Sequence, residues 1–324
     1  MDSKRCVPFV ELSRHDVSIA GGKGANLGDM VQAGLPIPPG FVIVAPAYRE
    51  IVECSGLGGE IFGILDHLDY HNCEQLSAVE QQIREMFVDC LIPEALEASI
   101  LESYRAMRAT DGPGVHQPPV AVRSSATAED LASASFAGQQ DTFLNVVGET
   151  ALLSAVRRCF SSLFTSQAIF YRHQHGFRDA DVAMAVVVQR MIDSEKSGVT
   201  FTMDPVMRNR YHAIVEAVWG LGEGIVSGRI TPDHYKLDRE TYELVYKFVP
   251  EKRIMICRHA DHGVQTLPVP DDRVAAQVLT DAELRYLVDL RNQIERHYGC
   301  TQDIEWAIEG KTVYLLQRRP ITCL

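Results

Sequence analysis

The sequence predicts an α+β (α/β) fold, arranged as two lobes that meet over a ligand. Apolar residues recur at three- and four-residue spacing through most of 47–109, which is typical of amphipathic helices. Short segments rich in β-branched residues, at 183–191 and 198–203, favour strands. A chain of 324 residues has room for one large or two ordinary domains, and we expect lobes at 1–192 and 193–324.

The first lobe is predicted to alternate helices with buried strands. A helix is expected over 27–33, ended by the Pro-rich segment 35–40, with a strand following at 41–44. Another strand is expected at 120–122. One long helix is expected over 149–175 because its apolar residues form a single stripe. That stripe comprises Leu152, Val156, Phe160, Leu163 and Phe164.

The second lobe is predicted to be richer in strands. Strands are expected at 211–218 and 233–248, followed by an amphipathic helix over 281–298. Thr280 with Glu283 three residues later predicts the N-terminal cap of that helix. A Glu-Gly-Lys turn then predicts a closing β-hairpin.

The composition excludes several classes of protein. The formal net charge of -12 argues against a duplex nucleic-acid binder, although a local basic cluster can still hold a small anion. The eight cysteines form no Cys-x-x-Cys pair, which argues against a zinc or redox site and favours reduced thiols. The sequence shows neither an apolar signal core at its start nor an apolar run of about 18 residues, so a cytoplasmic protein is expected.

The Gly-rich segment 20–28, AGGKGANLG, is the first candidate site. Glycines allow backbone N–H groups to approach phosphate oxygens, and Lys23 adds a positive charge. The spacing matches neither a Walker A loop nor the dinucleotide fingerprint. The alternative is a tight turn that opens a helix.

The second candidate follows a buried strand, in the sequence VRSSATAED at 122–130. Arg123 stands at the strand end, where a guanidinium needs an anion or a carboxylate as partner. The hydroxyl-rich residues after it can donate hydrogen bonds to phosphates. The alternative is an arginine salt bridge beside an Ala/Ser-rich turn.

The third candidate is the predicted closing hairpin. Strand alternation puts Asp303 and Glu305 on one face of the first strand, and Gln317 and Arg319 on one face of the second. If the strands pair, a carboxylate, an amide oxygen and an arginine converge. Such oxygens suit Mg²⁺, and the arginine would neutralise the charge of a transferring phosphate. The alternative is a solvated hairpin with a cross-strand ion pair.

Taken in order, these segments resemble the ATP-binding domain of the phosphoenolpyruvate synthase, pyruvate phosphate dikinase and rifampin phosphotransferase family. The similar stretches run from about residue 10 to 322. They are GGKGANLG, VAVRSSATAEDLASASFAGQQDTFLNV, SLFTSQAIFYR, SGVTFTMDP, GLGEGIVSGRITPDHY, QDIEWAIEG and YLLQRRPIT.

The resemblance implies an ATP-grasp-like fold in which two lobes close over ATP. In the first lobe, with its Gly-rich and RSSA segments, it implies that Lys23 and Arg123 contact phosphates and serve catalysis. Gly138 and Thr142 are expected in the phosphate-side loop, and Gln189 on the adenine side.

In the second lobe the resemblance implies a Mg-ATP-binding hairpin. Glu305 and Gln317 are expected as Mg²⁺ ligands and Arg319 as a catalytic arginine on the phosphates. Asp303 is expected as an accessory polar residue of the same site.

In that family ATP gives its β-phosphate to a histidine on a separate swivelling domain, leaving AMP and phosphate. The Thr-Ser-His-type loop of that domain is not found in the sequence. We therefore expect a phosphotransferase component that works with a histidine-bearing domain or subunit and an acceptor-binding domain or subunit. The final acceptor could be pyruvate, rifampin or a phenol.

Two other functions stay open at this point. A free-standing ATP-grasp ligase would activate a carboxylate as an acyl phosphate and release ADP. A non-catalytic nucleotide-sensing module would bind ATP without turnover.

Overall fold

The computed structural model describes residues 4–107, 117–127 and 141–321. The chain divides into two compact units, one formed by Met1–Gln32 with Pro39–Met191, the other by Ala33–Pro38 with Ile192–Leu324. Both units combine helices with sheets, which confirms the predicted α+β class. In the described ranges no helix is both long and apolar enough to cross a membrane.

The first unit is built around an antiparallel sheet with strand order β1-β2-β5-β3-β4. Its strands are β1 Cys6–Pro8, β2 Gly40–Ile43, β3 Val120–Ala126, β4 Thr142–Val146 and β5 Met184–Arg190. Its helices are α1 Val17–Gln32, α2 Ala45–Cys54, α3 Leu57–Leu65, α4 Cys73–Asp89, α5 Glu94–Ala106, α6 Glu149–Ser161 and α7 Ser166–Gln174. Helices α1, α2 and α6 pack on the central strand β5, so that Met184 to Gln189 are all buried.

Two helix predictions in this unit are right in location and wrong in extent. The helix predicted over 27–33 begins at Val17, and its glycines lie inside it, with Gly21 in the left-handed region. The single helix predicted over 149–175 is broken after Ser161 by a 3₁₀ turn, and Thr165 caps α7 by accepting a hydrogen bond from the Ala168 N–H. All five residues of the predicted apolar stripe are buried, because the 3₁₀ turn keeps Leu163 and Phe164 facing the core.

The second unit contains an antiparallel sheet with strand order β13-β12-β6-β7-β8-β9. Its strands are β6 Lys196–Phe201, β7 His212–Trp219, β8 Asp233–Asp238, β9 Leu244–Phe248, β12 Gln302–Glu309 and β13 Thr312–Pro320. A separate hairpin pairs β10 Ile254–Arg258 with β11 Val264–Pro268. The helices are α8 Glu223–Val226, α9 Asp271–Val274 and α10 Asp281–Tyr298.

The predicted strand 233–248 is two strands, because Asp238 begins a turn. Its carboxylate accepts the backbone N–H groups of Glu240 and Thr241. The predicted cap of α10 is confirmed as a reciprocal capping box between Thr280 and Glu283. Along β8 and over 302–306 of β12 buried residues alternate with half-buried ones, so this part of the sheet has one covered face and one more open face.

Candidate functional site

The start of α1 packs directly against the end of β3. A Cβ atom on Gly21 would lie 2.2 Å from the Ser125 carbonyl oxygen, so only glycine allows this approach. The Ser125 hydroxyl donates to the Ala20 carbonyl oxygen at 2.9 Å and accepts the Gly24 N–H at 3.2 Å. Gly21 therefore forms a turn inside α1, and the hydrogen bonds of Ser125 hold the next turn of the helix beside β3.

This junction brings together three of the four described residues that were singled out in the first lobe. The Lys23 ammonium donates to the Ser124 carbonyl oxygen at 3.0 Å. Arg123 pairs across the sheet with Thr142, the exposed first residue of β4. Lys23, Arg123 and Thr142 therefore gather where β3, β4 and α1 meet. They form what we call the first-unit cluster.

Gln189 is placed differently from the cluster. It lies on β5 opposite Ala121, whereas Arg123 lies opposite Val187. Because residues two apart on a strand share a face, Gln189 and Arg123 lie on the same face of the sheet. Its side chain is only 2% exposed, as expected for the central strand. Gly138, the remaining residue predicted for this region, lies outside the described residues.

The two strands of the closing hairpin pair, with a register shift between Glu305 and Trp306. Glu305 pairs directly with Gln317, and Asp303 pairs directly with Arg319. Because directly opposite residues share a face, all four side chains lie on one side of the hairpin. Arg319 donates to Asp303 at 3.2 Å, and its guanidinium is 4.0 Å from the Glu305 carboxylate. These four side chains form what we call the hairpin cluster.

Asp303 carries the most unusual electrostatics of the hairpin cluster. Burial raises the pKa of its carboxyl above the ordinary value; the Arg319 guanidinium opposes that rise and the Glu305 carboxylate adds to it. Its Oδ1 atom is buried and has no hydrogen-bond partner among the described residues. A carboxylate oxygen removed from water without a donor is a favourable position for a cation.

The open face of the same sheet holds polar residues that the sequence analysis missed or set aside. Glu305 on β12 is in register with Val199, Glu216 and His234 on the following strands. The His234 ring nitrogen Nδ1 is 3.1 Å from the Glu216 carboxylate, and Lys236 donates to Asp204 at 3.0 Å. Both pairs border a cavity of about 580 Å³. The alternation of polar residues along 234–238 is the sequence signal that could have identified His234 and Lys236.

Comparison with known proteins places the chain in a family. Residues 17–324 match the family described as pyruvate phosphate dikinase, AMP/ATP-binding domain. Three curated relatives are named probable phosphoenolpyruvate synthase, from Methanocaldococcus jannaschii and Archaeoglobus fulgidus, and rifampicin phosphotransferase, from Bacillus cereus. They are respectively 46%, 47% and 36% identical to this chain over 100%, 98% and 98% of its length.

The chain spans only part of each of these relatives, namely 27%, 41% and 36% of their lengths. Among solved structures, D-alanine-D-alanine ligase from Helicobacter pylori aligns with a TM-score of 0.30 and 11% identity. That alignment covers 76% of this chain and 53% of the ligase. The family match extends over nearly the whole chain and includes all nine residues singled out from the sequence. The chain therefore belongs to the pyruvate phosphate dikinase AMP/ATP-binding domain family.

Proposed function

We propose that this chain binds Mg-ATP and transfers the β-phosphate to a histidine on a separate domain or subunit, releasing AMP, while water takes the γ-phosphoryl group, which leaves as inorganic phosphate. The proposal takes the lobes as 1–192 and 193–324, closing over the nucleotide in an ATP-grasp-like manner. It also takes the reaction from the family resemblance. The relatives are named as phosphoenolpyruvate synthases and as a rifampicin phosphotransferase, which supports a phosphotransferase role.

The observation that carries the proposal is the hairpin cluster. One short hairpin presents a carboxylate, an amide, a guanidinium and a second carboxylate on a single face, in register. Arg319 is 42% exposed, so its guanidinium is accessible to a phosphate while it keeps its bond to Asp303. Preorganised cations of this kind stabilise the charge that develops during phosphoryl transfer.

The donor set of the hairpin cluster fits Mg²⁺. Glu305 and Gln317 supply oxygen atoms from directly opposite positions, and the unpartnered Oδ1 of Asp303 adds a nearby negative charge. Among the described residues no group of three or more His, Cys, Asp or Glu side chains is arranged to hold a metal. Few protein ligands are typical of Mg²⁺ sites that are completed by nucleotide phosphates and water. When bound by Glu305 and Gln317, Mg²⁺ would neutralise the phosphate oxygens.

The first-unit cluster supplies positive charge for the same ligand in this proposal. Lys23 and Arg123 would contact the phosphates, and the exposed Thr142 hydroxyl would donate a hydrogen bond to them. Gln189 would lie on the adenine side. At 2% exposure it can offer a nucleotide only the edge of its amide, so we expect a contribution to orientation rather than a large contact area.

The partners and the location follow from the proposed reaction. A histidine-bearing domain or subunit would receive the phosphate, and an acceptor-binding domain or subunit would pass it to pyruvate, rifampin or a phenol. The reaction draws on ATP inside the cell, in keeping with the cytoplasmic location that the sequence predicts.

The proposal is tested by incubating the chain with Mg-ATP and a panel of separately produced histidine-bearing domains of this family. We expect AMP and a phosphohistidine to form together with at least one of these domains. Glu305→Ala is expected to lower the rate of AMP formation by at least about 100-fold, because it removes a carboxylate that would hold Mg²⁺ beside the reacting phosphates. The measurement is AMP by chromatography and phosphohistidine by mass spectrometry.

The matched control is Glu240→Gln, which changes an exposed acid in the turn after β8 and should leave AMP formation unchanged. Formation of ADP in place of AMP would support a ligase. Tight binding of Mg-ATP without turnover by any partner, with Glu305→Ala only weakening that binding, would support a nucleotide sensor. Either result rules out the proposed transfer.

A further inference from the structure

A hydrogen-bonded chain links helix α4 to the first-unit cluster, and it begins at Arg84. Both terminal nitrogens of the Arg84 guanidinium donate to Oδ2 of Asp141, 57 residues further along the sequence. On the other side of the guanidinium, Glu80 forms an ion pair with Arg84, with its Oε1 3.5 Å from Nε and no hydrogen bond between them. Glu80 is itself fixed, since its Oε2 accepts both the N–H and the hydroxyl of Ser166, at 2.8 Å and 2.7 Å.

From Asp141 the series of hydrogen bonds continues through backbone carbonyl groups. The Asp141 carbonyl oxygen accepts the Ser124 N–H at 3.3 Å and the Ser124 hydroxyl at 3.0 Å. The Ser124 carbonyl oxygen in turn accepts the Lys23 ammonium at 3.0 Å. Arg84 thus connects to Lys23 through two intermediate residues, all within the first unit.

The same series of hydrogen bonds also involves the direct sequence neighbours of the other two members of the cluster. Asp141 immediately precedes Thr142, and Ser124 immediately follows Arg123. Ser124 is 1% exposed, so both of its donors need protein acceptors, and both use the Asp141 carbonyl oxygen. The orientation of Asp141 is therefore set by Arg84 at its side chain and by Ser124 at its backbone.

We propose that Arg84 is a positioning residue for Lys23, Arg123 and Thr142. It acts through Asp141 and Ser124. This inference rests on the proposed function, because it assigns those three residues to the phosphates. Reacting groups must be held to within a fraction of an ångström, and a displacement of about 1 Å can lower a rate by roughly 100-fold. Loss of the Arg84–Asp141 pair should therefore lower kcat by a larger factor than it raises the KM for ATP.

The test uses the full chain carrying Arg84→Met, Arg84→Lys, Asp141→Asn, or Arg84→Met together with Asp141→Asn. Arg105→Met is the matched control, because it removes an ion pair between α5 and Glu149, the first residue of α6, in the same unit. The first readout is the rate at which trace acetic anhydride acetylates Lys23, followed by mass spectrometry without nucleotide. We expect Arg84→Met to raise that rate at least about threefold relative to other lysines, because the hydrogen bond to Ser124 loosens.

The second readout is kcat for AMP formation with the histidine-bearing domain. We expect kcat to fall about tenfold in Arg84→Met, with partial recovery in Arg84→Lys, whose ammonium can still pair with Asp141. The double variant should be no slower than the slower single variant, since both changes interrupt the same path. A purely structural role would lower thermal stability and leave the Lys23 rate and kcat of the folded enzyme unchanged.

The two readouts separate failure of this inference from failure of the proposed function. An unchanged Lys23 acetylation rate in Arg84→Met overturns the inference whether or not the wild-type chain forms AMP. An altered rate in a chain that forms no AMP supports the positioning path and refutes the phosphotransfer. An altered rate with an unchanged kcat overturns the assignment of Arg84 to the reaction.

Discussion

Replacing Gly21 with alanine tests how closely α1 must approach β3 for the first-unit cluster to form. Gly21 has a φ of 66°, in the left-handed region, and an added Cβ would lie 2.2 Å from the Ser125 carbonyl oxygen. That oxygen belongs to the backbone of a buried strand, so it cannot move aside as a flexible side chain would. The helix must shift instead, and it carries Lys23 with it.

The expected cost has three parts. At φ 66° and ψ 173° the backbone of Gly21 lies in a region that essentially only glycine adopts, and another residue there costs about 1–3 kcal/mol. Alanine recovers about 0.4–1 kcal/mol of this by restricting the unfolded chain. The steric clash adds about 1–3 kcal/mol, as for overpacking in a core. We therefore expect Gly21→Ala to lower the free energy of unfolding by about 1–5 kcal/mol.

Gly176 provides a control with a positive φ and no clash. Its φ is 68°, it belongs to the same unit, and an added Cβ would have no atom within 4 Å. Gly176→Ala should therefore cost only about 1 kcal/mol, the backbone part alone. The measurement is denaturant unfolding of both variants, together with Mg-ATP affinity by calorimetry. Equal stability of the two variants, with equal ATP affinity, would refute the close approach as the feature that positions Lys23.

Three further predictions concern other parts of the chain. Lys252→Met should lower the free energy of unfolding by about 3–5 kcal/mol, because it leaves the fully buried Asp233 carboxylate without its cation. The control Arg253→Met breaks an exposed ion pair and should change the free energy of unfolding by less than about 1 kcal/mol. Backbone N–H groups from Thr241 and Glu240 lower the pKa of Asp238, so its contribution to stability should be complete above the ordinary aspartate range and lost as pH falls. Asp238→Asn should therefore destabilise the chain at pH 7, and by progressively less as the pH falls below the ordinary aspartate range in urea titrations. A thiol reagent at pH 8 should modify the exposed cysteines and spare the buried ones, since burial raises the pKa of Cys6 to about 11; fast labelling of the buried group would contradict this. The exposed group is Cys54, Cys73 and Cys300, and the buried group is Cys6, Cys90 and Cys159.

Half of the hairpin cluster could be derived from the sequence, because the two-residue period of a strand is local. It puts Asp303 with Glu305, and Gln317 with Arg319, on one face of each strand. The pairing of Glu305 with Gln317, and of Asp303 with Arg319, depends on a register shift between Glu305 and Trp306, without which Glu305 would face Leu316. The cap of α10 could also be derived from the sequence, because Thr280 and Glu283 are three residues apart.

The features that sequence reasoning missed depend on distant contacts. Glycines weaken a helix locally, which is why α1 was predicted to begin only at Leu27. In the folded chain those glycines let α1 lie against neighbouring segments, as at Gly28, where an added Cβ would be 2.4 Å from the Cβ of Leu12. The Arg84–Asp141 pair joins residues 57 positions apart, and no periodicity connects them.

The central claim is tested most directly by the fate of the β-phosphate of ATP. The chain, Mg²⁺ and a histidine-bearing domain of the family would be incubated with ATP labelled at the β-phosphorus and, separately, at the γ-phosphorus. The account predicts AMP as the nucleotide product, β-label on the histidine after the reaction, and γ-label released as phosphate. Recovery of the β-label in ADP, with the γ-label on any acceptor, would contradict it.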